Sequence, residues 1–457
     1  IFSVVGFVLF SNMTMSSDQA DSIFYKIPFI GHIKQLVESS DKDLKGEDND
    51  RINILLLGMG GKKHQGGYLT DTIMLASLKV SEKKVSLLSI PRDLSIPVES
   101  GNWTKINNIN AFAEFKEEDS GGIAISQALS DLLEIPIDYY VRVDFQGFVN
   151  IVDELGGLEV EVENTLSDPS YPIMGQEDNP DYEARFEHLY VEKGIQEMDG
   201  ELALKFARSR HAAGIEGSDF ARAKRQQKII TAAKEKLLST NYLLKPQILT
   251  GIIGELKEHL STNLKIWEMI KIWKDFKDVE KESISTKVLD NSANGLLYNT
   301  INEQGAYVLL PKNGDFEEIK YLVHNIFEDA PLEKKQEVKV ENSTLEIRNG
   351  TWINGLASRQ AVDLEKYGFD VIRIGNSSLK NFEKSIIYDL TFGEKINSLK
   401  VLKEKTGASV SFEVPEWLKQ DIEKDLNDEQ APQKPDFILI IGRDADSTQS
   451  GMENPER

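Results

Sequence analysis

The chain lacks cysteine entirely among its 457 residues. This absence excludes a disulfide framework and a cysteine-based zinc site. Long apolar runs are also scarce, since the opening stretch IFSVVGFVLF holds ten residues and a helix needs about 20 to span a bilayer. Basic residues are outnumbered, with 53 Lys and Arg against 75 Asp and Glu and a formal net charge of −22. So acidic a chain lacks the basic footprint of nucleic-acid-binding proteins, and we expect no nucleic-acid partner.

The length of 457 residues predicts two or three domains. The opening apolar stretch is typical of the outer half of a signal anchor, with a buried N-terminal strand as the alternative. Polar, charged stretches indicate linkers. The predicted segments are a remnant of an N-terminal transmembrane anchor at 1–15, an extracytoplasmic linker at 16–50, a large domain at 51–328, a linker at 329–342, a small domain at 343–443 and a disordered tail at 444–457.

Apolar periodicity predicts strands and helices that alternate along the large domain. Such alternation indicates an α/β (α+β) fold, with a mixed central sheet covered by helices and a small C-terminal α/β domain. Ser218 or Asp219 is expected to cap a helix that runs to about Leu238. The polar stretch 164–193 is predicted to be a long functional loop or lid. The main predicted elements are strands at 52–58, 73–80, 84–93, 140–145 and 158–163 and helices at 121–135, 146–157 and 199–210.

Arginines are concentrated in one window of this acidic chain, ALKFARSRHAAGIEGSDFARAKRQQ at 203–227. Arg208 and Arg210 stand two residues apart, and Arg222 and Arg225 follow after a short loop. The planar guanidinium matches phosphate oxygens in a bidentate way, so paired arginines favour a phosphate-binding site. A solvated helix face with incidental charge is the alternative interpretation.

Other polar residues are placed to join these arginines. Asp219, Arg222 and Gln226 follow i, i+3, i+7 spacing, which puts them on one helix face. Gln226 is able to donate to a phosphate oxygen, and Asp219 to hold an arginine in place. Arg92 follows a buried strand, where open α/β sheets bind ligands. Asp71 follows a glycine-rich loop and is a candidate ligand for a hard cation such as Mg²⁺.

Several of these motifs occur together in an order that resembles the LytR-CpsA-Psr family of cell-envelope proteins. The resemblance covers roughly residues 51–327. The stretch from 343 to 443 is similar to the small C-terminal domain found in part of that family. The matching pieces are NILLLG, TDTIMLASL, VSLLSIPRD, VRVDFQGFVNIVDELGGLEVEV, GIQEMDGELALKFARSRH and SDFARAKRQQ.

The resemblance implies a phosphotransferase that moves a glycopolymer from a polyprenyl-pyrophosphate carrier onto peptidoglycan through a phosphodiester bond. It implies a single-pass protein of the cell membrane with an extracytoplasmic catalytic domain. It also implies an apolar lipid-binding tunnel, with Mg²⁺ or Mn²⁺ as cofactor. Segment 121–163 offers apolar residues for that tunnel, namely Ile123, Ile125, Leu129, Leu132, Phe145, Phe148, Val149 and Val152.

Roles for individual residues follow from the matched motifs. Arg92, Arg210 and Asp71 are implied as catalytic, and Asp71 also as the magnesium ligand. Asp93 is either a base or, as we favour, a residue that orients Arg92, and Asp219 supports the arginines. The residues implied to bind phosphate are Arg92, Arg208, Arg210, Arg222 and Gln226.

The chain departs from the family pattern in its glycine-rich loop. Gly60 stands where members often carry a second metal-binding Asp, and Leu69 where an Arg is common. His64 in this loop is either a substitute ligand for phosphate or metal, or simply solvated. Two other functions use the same residues: a pyrophosphatase for prenyl pyrophosphates, and a non-catalytic scaffold that binds lipid phosphate or glycan.

Overall fold

The computed structural model describes most of the chain in two compact units. Among the described residues, one unit falls within Ile1–Asp290 and Ile301–Leu309, and the other within Asn291–Thr300 and Leu310–Arg457. The residues that the structure describes are 42–62, 66–98, 101–173, 175–176, 179–239, 259–280, 283–292, 295–426 and 434–446.

Strands and helices alternate along the chain as the periodicity predicts. The strands are β1 (Ile52–Met59), β2 (Thr70–Lys79), β3 (Lys84–Ser89), β4 (Ser95–Pro97), β5 (Trp103–Lys105), β6 (Tyr139–Asp144), β7 (Leu158–Val162), β8 (Leu166–Pro172), β9 (Phe186–Val191), β10 (Gly194–Met198), β11 (Leu260–Thr262), β12 (Ile284–Val288), β13 (Leu297–Ile301), β14 (Tyr307–Pro311), β15 (Thr344–Asn349), β16 (Asp370–Asn376), β17 (Ile386–Asp389), β18 (Ser409–Ser411) and β19 (Phe437–Ile441). The helices are α1 (Ile106–Lys116), α2 (Gly121–Leu133), α3 (Phe145–Glu154), α4 (Gly200–Arg208), α5 (Asp219–Ser239), α6 (Ile266–Phe276), α7 (Glu317–His324), α8 (Leu332–Glu341), α9 (Leu356–Lys366), α10 (Ile396–Thr406) and α11 (Glu416–Leu426).

The first unit is built on a six-stranded sheet in the order β11-β6-β1-β2-β3-β12. β1 runs parallel to β6 and β3 parallel to β12, whereas the other neighbours are antiparallel. Helices cover both faces, which is why β1 reads as a continuous apolar run. Ile54 shares a core with Ile272 of α6. On α2, a Cβ at Gly122 would stand 2.3 Å from the Tyr140 ring, so glycine permits the close approach. The predicted mixed sheet covered by helices is confirmed.

Residues 164–193 differ from their prediction as a loop or lid. Within them, β8 pairs antiparallel with β9 as a β-hairpin. Its inward side chains are buried, with Tyr171, Leu189 and Val191 at most 5% exposed. The prediction of a loop is wrong because the prolines on the outward positions, together with the buried Asp168, obscured the alternation of buried residues.

The residues just before β1 also differ from the prediction, which made 16–50 a hydrated linker. Leu44 is only 4% exposed and packs in the core beneath α6. The backbone N–H of Lys45 donates to the Tyr139 hydroxyl at 2.9 Å. Residues 42–50 are therefore part of the folded first unit. The predicted anchor at 1–15 lies outside the described residues, and within the described ranges no helix has the length and apolar character to cross a bilayer.

The second unit is a small α/β fold with a five-stranded sheet in the order β16-β15-β19-β17-β18. β15 runs parallel to both β16 and β19. The predicted linker 329–342 is largely helix α8, whose Val338 is fully buried in this unit's core. The Tyr321 hydroxyl of α7 donates to Asp363 of α9 at 2.9 Å. The second unit thus takes in Asn291–Thr300 and the chain from Leu310, earlier than the predicted boundary at 328. The predicted tail lies outside the described residues from 447 onward.

Candidate active site

One edge of the central sheet gathers the ends of β1 and β6 and the start of β2. Met59 of β1 stands beside Asp144 of β6 on one side and Thr70 of β2 on the other. Neighbouring strands are about 4.8 Å apart, and β1 lies between β2 and β6. The backbones at Asp71 and Asp144 are therefore roughly 10 Å apart across this edge. β3 ends at the same edge, because the Ile90 backbone N–H donates to Ile73 at 2.9 Å.

Arginines converge on Asp71 at this edge. Arg92 Nη1 donates to Asp71 Oδ1, and Arg210 Nη2 lies 3.8 Å from the same oxygen. Burial acts to raise the pKa of the Asp71 carboxyl, but Arg92, Arg210 and Arg208 outweigh it and hold that pKa below its usual value. Asp71 is therefore ionised at neutral pH. We call Asp71, Arg92, Arg208 and Arg210 the arginine cluster.

Asp93 supports the cluster from the side of β3. Its Oδ1 accepts a hydrogen bond from Lys105 Nζ at 2.7 Å, and its Oδ2 lies 3.4 Å from Arg92 Nε. Because Asp93 already lies between two cations, it is better suited to orient Arg92 than to abstract a proton. The orienting role of Asp93 stays a prediction that this geometry favours.

The turn that carries Arg208 and Arg210 is fixed by a buried carboxylate, Asp168 on β8. Its Oδ2 accepts hydrogen bonds from Ser209 Oγ at 2.7 Å and from the backbone N–H groups of Arg210 and His211 at 3.2 Å. Arg225 on α5 donates to the Ser209 carbonyl at 2.6 Å from the other side. Sequence reasoning missed Asp168 because it lies in the stretch predicted as a loop. Arg225 acts here as a structural residue.

Substitution of Asp168 by alanine is expected to destabilise the protein and to lower the activity of the site. Asp168 is fully buried, so its loss leaves four donors without their acceptor: the Ser209 hydroxyl and the backbone N–H groups of Ser170, Arg210 and His211. We expect at least about 2 kcal/mol less free energy of unfolding. Chemical denaturation measures this loss. Asp168→Asn retains an acceptor oxygen and is expected to lose less, whereas an unchanged stability of Asp168→Ala contradicts the role.

Helix α5 carries Arg222 and Gln226, and Gln226 contacts α4. Ser218 caps this helix, since its Oγ accepts from the Ala221 backbone N–H at 3.1 Å. Gln226 Nε2 donates to the Ala207 carbonyl at 3.5 Å, and Arg222 is only 7% exposed. Burial lowers the pKa of Arg225, and the nearby charge of Arg222 adds to this while Glu216 opposes it. Two guanidinium groups therefore share this part of α5. The side chain of Asp219 lies outside the part that the structure describes.

An apolar cavity, partly open to solvent, lies between the sheet and helices α3, α4 and α5. Polar groups enter its wall at Thr72, Asp144, Arg208 and Gln226. The Arg208 guanidinium lies over the Phe145 ring, 4.0 Å from its centroid. The wall consists of Leu56, Leu57, Gly58, Thr72, Met74, Val143, Asp144, Phe145, Phe148, Ile151, Val152, Leu155, Leu204, Ala207, Arg208, Gln226, Ile229, Ile230, Ala233 and Leu260.

The cavity matches the predicted tunnel in part. Phe145, Phe148 and Val152 line it as expected. Ile125 and Leu129 of α2 are instead fully buried away from its wall, and Ile123 is 60% exposed. These α2 residues differ because α2 packs at Tyr140, whereas the cavity is walled by α3, α4 and α5. Of the predicted phosphate-binding residues, the wall includes Arg208 and Gln226, whereas Arg92, Arg210 and Arg222 lie outside it.

A histidine–aspartate pair at the same sheet edge was missed by sequence reasoning. Asp144 Oδ1 caps α3 by accepting from the Gly147 backbone N–H at 2.8 Å. Its Oδ2 lies 2.8 Å from His259 Nδ1. The strand-ending Asp of VRVDF was visible in the sequence, but no local pattern links it to a histidine 115 residues away.

Metal ligands are few at the site. Among the residues that the structure describes, no group of three or more His, Cys, Asp or Glu is placed to hold a metal ion. Asp71 offers one carboxylate within the arginine cluster, and His64 lies outside the described residues. This donor set fits a Mg²⁺ ion held largely by substrate phosphate oxygens and water, as Mg²⁺ commonly is.

Comparisons with known proteins find relatives of this chain. The chain is 29% identical over 255 residues to an uncharacterized protein of Staphylococcus aureus (strain NCTC 8325 / PS 47), covering 54% of this chain and 57% of that protein. It is 27% identical over 275 residues to the polyisoprenyl-teichoic acid–peptidoglycan teichoic acid transferase TagT of Bacillus subtilis (strain 168), covering 58% and 78%. The crystal structure of B. subtilis TagV is 25% identical, with a TM-score of 0.45, covering 62% of this chain and 99% of that one.

Family models match both units of the chain. The model described as LytR cell envelope-related transcriptional attenuator matches residues 342–444. The model of the LytR_cpsA_psr family matches residues 26–325, which is well over half of the chain. The chain therefore belongs to the LytR-CpsA-Psr family.

Proposed function

We propose that this protein is a phosphotransferase that moves a glycopolymer from a polyprenyl-pyrophosphate carrier onto peptidoglycan. The observation that carries the proposal is an apolar cavity whose wall includes one member, Arg208, of an arginine cluster centred on Asp71. Relatives named as polyisoprenyl-teichoic acid–peptidoglycan teichoic acid transferases support it. A lipid pyrophosphate combines the two features that this site presents, a long apolar tail and a compact multivalent anion.

In this proposal the cavity binds the prenyl tail of the carrier and the arginine cluster binds its pyrophosphate. Each methylene of a prenyl tail that enters the cavity contributes about 0.8 kcal/mol. The pyrophosphate meets Arg208 where it lines the wall and Arg92 and Arg210 around Asp71. On α5, the buried Arg222 adds a positive charge and Gln226 adds a neutral amide donor. Phosphoryl transfer depends mainly on position and charge stabilisation, so these side chains suffice without a covalent nucleophile.

The reaction exchanges one phosphorus–oxygen bond for another. A peptidoglycan hydroxyl oxygen attacks the phosphorus that bears the glycan, and the bond to the bridging oxygen breaks. Polyprenyl monophosphate leaves, and the glycan remains joined to peptidoglycan through a phosphodiester. The hydroxyl proton passes to a base, for which we assign the Asp144–His259 pair at the same sheet edge.

We place the protein at the cell membrane, with one N-terminal anchor and an extracytoplasmic catalytic unit. The support is the apolar stretch IFSVVGFVLF and a substrate whose prenyl tail resides in the bilayer. Peptidoglycan lies outside that membrane, so the acceptor and the carrier meet only on the outer face.

We also propose Mg²⁺, or Mn²⁺ in its place, as the cofactor at Asp71. When bound, the cation neutralises charge on the pyrophosphate. Asp71→Asn is expected to raise the Mg²⁺ concentration for half-maximal turnover by about tenfold, because the substitution removes the one protein carboxylate of the arginine cluster. Magnesium titrations of both proteins measure this. Full wild-type turnover in excess chelator contradicts the metal role.

One assay separates the transferase from its two alternatives. Purified protein is mixed with a radiolabelled polyprenyl-pyrophosphate-linked glycan, with and without peptidoglycan. The transferase attaches label to peptidoglycan and releases polyprenyl monophosphate. A pyrophosphatase releases soluble glycan phosphate at the same rate in both mixtures, and a scaffold leaves the substrate intact. Either of the last two results overturns the proposed transfer.

A further inference from the structure

The second unit presents an exposed aromatic side chain at the end of its parallel strands. Trp352 follows β15 and is 73% exposed. β15 and β16 end in register, at Asn349 and Asn376. The carboxyl ends of parallel strands are where open α/β sheets bind ligands. A large apolar ring at this position gains little from the folding of its own unit, because most of its surface stays in water.

The loop that carries Trp352 is rigid. Asn349 Oδ1 accepts from the backbone N–H and the hydroxyl of Thr351, at 2.9 and 2.8 Å. Asn349 Nδ2 donates to the Ile353 carbonyl at 2.7 Å. A Cβ at Gly350 would lie 2.7 Å from the Phe382 ring, so the loop also packs closely beneath. The ring of Trp352 is therefore held out on a fixed support, which lowers the entropy lost when it binds a ligand.

Polar groups surround the Trp352 ring. Its Nε1 donates to Asn381 Oδ1 at 3.0 Å. Lys380 Nζ lies 5.8 Å from the ring centroid and donates to the Asn349 carbonyl at 2.7 Å and to Asn376 Oδ1 at 2.9 Å. Burial lowers the pKa of Lys380. The surface thus combines a flat apolar face with two side-chain amides and one ammonium group.

We propose that Trp352, Lys380, Asn376 and Asn381 form a saccharide-binding site. A sugar ring has an apolar C–H face that packs on an indole, and its edge of hydroxyl groups needs donors and acceptors. The amides and the ammonium group supply both within reach of the ring. A purely structural tryptophan would be buried, and Trp352 is not. The site goes beyond the proposed transferase, since it uses no residue of the arginine cluster.

Isothermal titration of the whole chain with chitotetraose and with maltotetraose tests this site. Wild-type protein is expected to bind at least one of the two saturably. Trp352→Ala is expected to weaken that binding about tenfold, and Trp352→Phe to weaken it less. Phe392→Ala is the matched control, because Phe392 is an aromatic of the same unit with 80% exposure. Circular dichroism checks that each variant folds.

Two results overturn the site. One is the absence of saturable binding of either saccharide by wild-type protein up to millimolar concentration. The other is equal binding by wild type and Trp352→Ala, which places the saccharide elsewhere in the chain. Neither result bears on the proposed transfer reaction, because the arginine cluster and the cavity lie in the first unit.

Discussion

Arg210→Ala is expected to lower the rate of prenyl-pyrophosphate turnover roughly 10- to 100-fold while the fold remains intact. A charge-assisted bond to a bound oxyanion contributes about 1.5–3 kcal/mol, which corresponds to this range. The fold is expected to survive because the backbone N–H of Arg210, rather than its side chain, bonds to Asp168. Steady-state kinetics with a labelled polyprenyl pyrophosphate measure the loss.

Two further variants define what Arg210 contributes. Arg210→Lys keeps the positive charge but loses the planar fork, so we expect an intermediate rate. Arg185→Ala removes an arginine that donates to the Asn179 carbonyl in the hairpin, and we expect a normal rate. Near-normal turnover by folded Arg210→Ala would remove Arg210 from the site.

Ala233→Trp is expected to obstruct the cavity and to lower kcat/KM for a long-chain polyprenyl substrate about 60-fold. Ala233 lines the cavity from α5, so an indole there takes space that the prenyl tail needs. If the indole keeps three methylenes of the prenyl tail out of the cavity, the lost burial costs about 2.4 kcal/mol of binding free energy. Exclusion of fewer methylenes costs proportionally less. A substrate with a short prenyl chain is expected to lose little, because it does not reach the obstructed part.

The matched control for the cavity is Ala213→Trp. Ala213 is exposed, and its backbone N–H bonds to Ser167. The same substitution at that position leaves the cavity unchanged, so turnover of both substrates is expected to stay normal. An equal loss for long and short chains in Ala233→Trp would show a structural effect and contradict the lipid role of the cavity.

Local patterns predicted the main elements of the fold well. The apolar run INILLLG predicts a strand buried on both faces, and β1 is one. Spacing and capping residues likewise predict α5, which Ser218 caps. Arg92 and Arg210 were expected to converge, and both lie at Asp71. Each of these predictions depends on a few neighbouring residues or on a short motif at the end of a strand.

Features that depend on distant residues were not predictable in this way. Asp168 reaches Arg210 across 42 positions, and Asp144 reaches His259 across 115. The spacing of apolar residues along the chain does not indicate which distant side chains the tertiary fold brings into contact. The hairpin at 164–193 was missed for a related reason, since the burial of Tyr171 and Leu189 depends on the core they pack in. The cavity likewise results from the distance between the sheet and helices α3, α4 and α5.

The most direct test of this account is native mass spectrometry of the purified protein with added undecaprenyl pyrophosphate. We predict one lipid bound per chain in the wild type, with less bound to Ala233→Trp, in which the cavity is obstructed. The spectrum also reports folding through its charge-state distribution. A folded wild-type protein that binds no lipid, or that binds it equally well after Ala233→Trp, would contradict the claim that the cavity and the arginine cluster together hold a polyprenyl pyrophosphate.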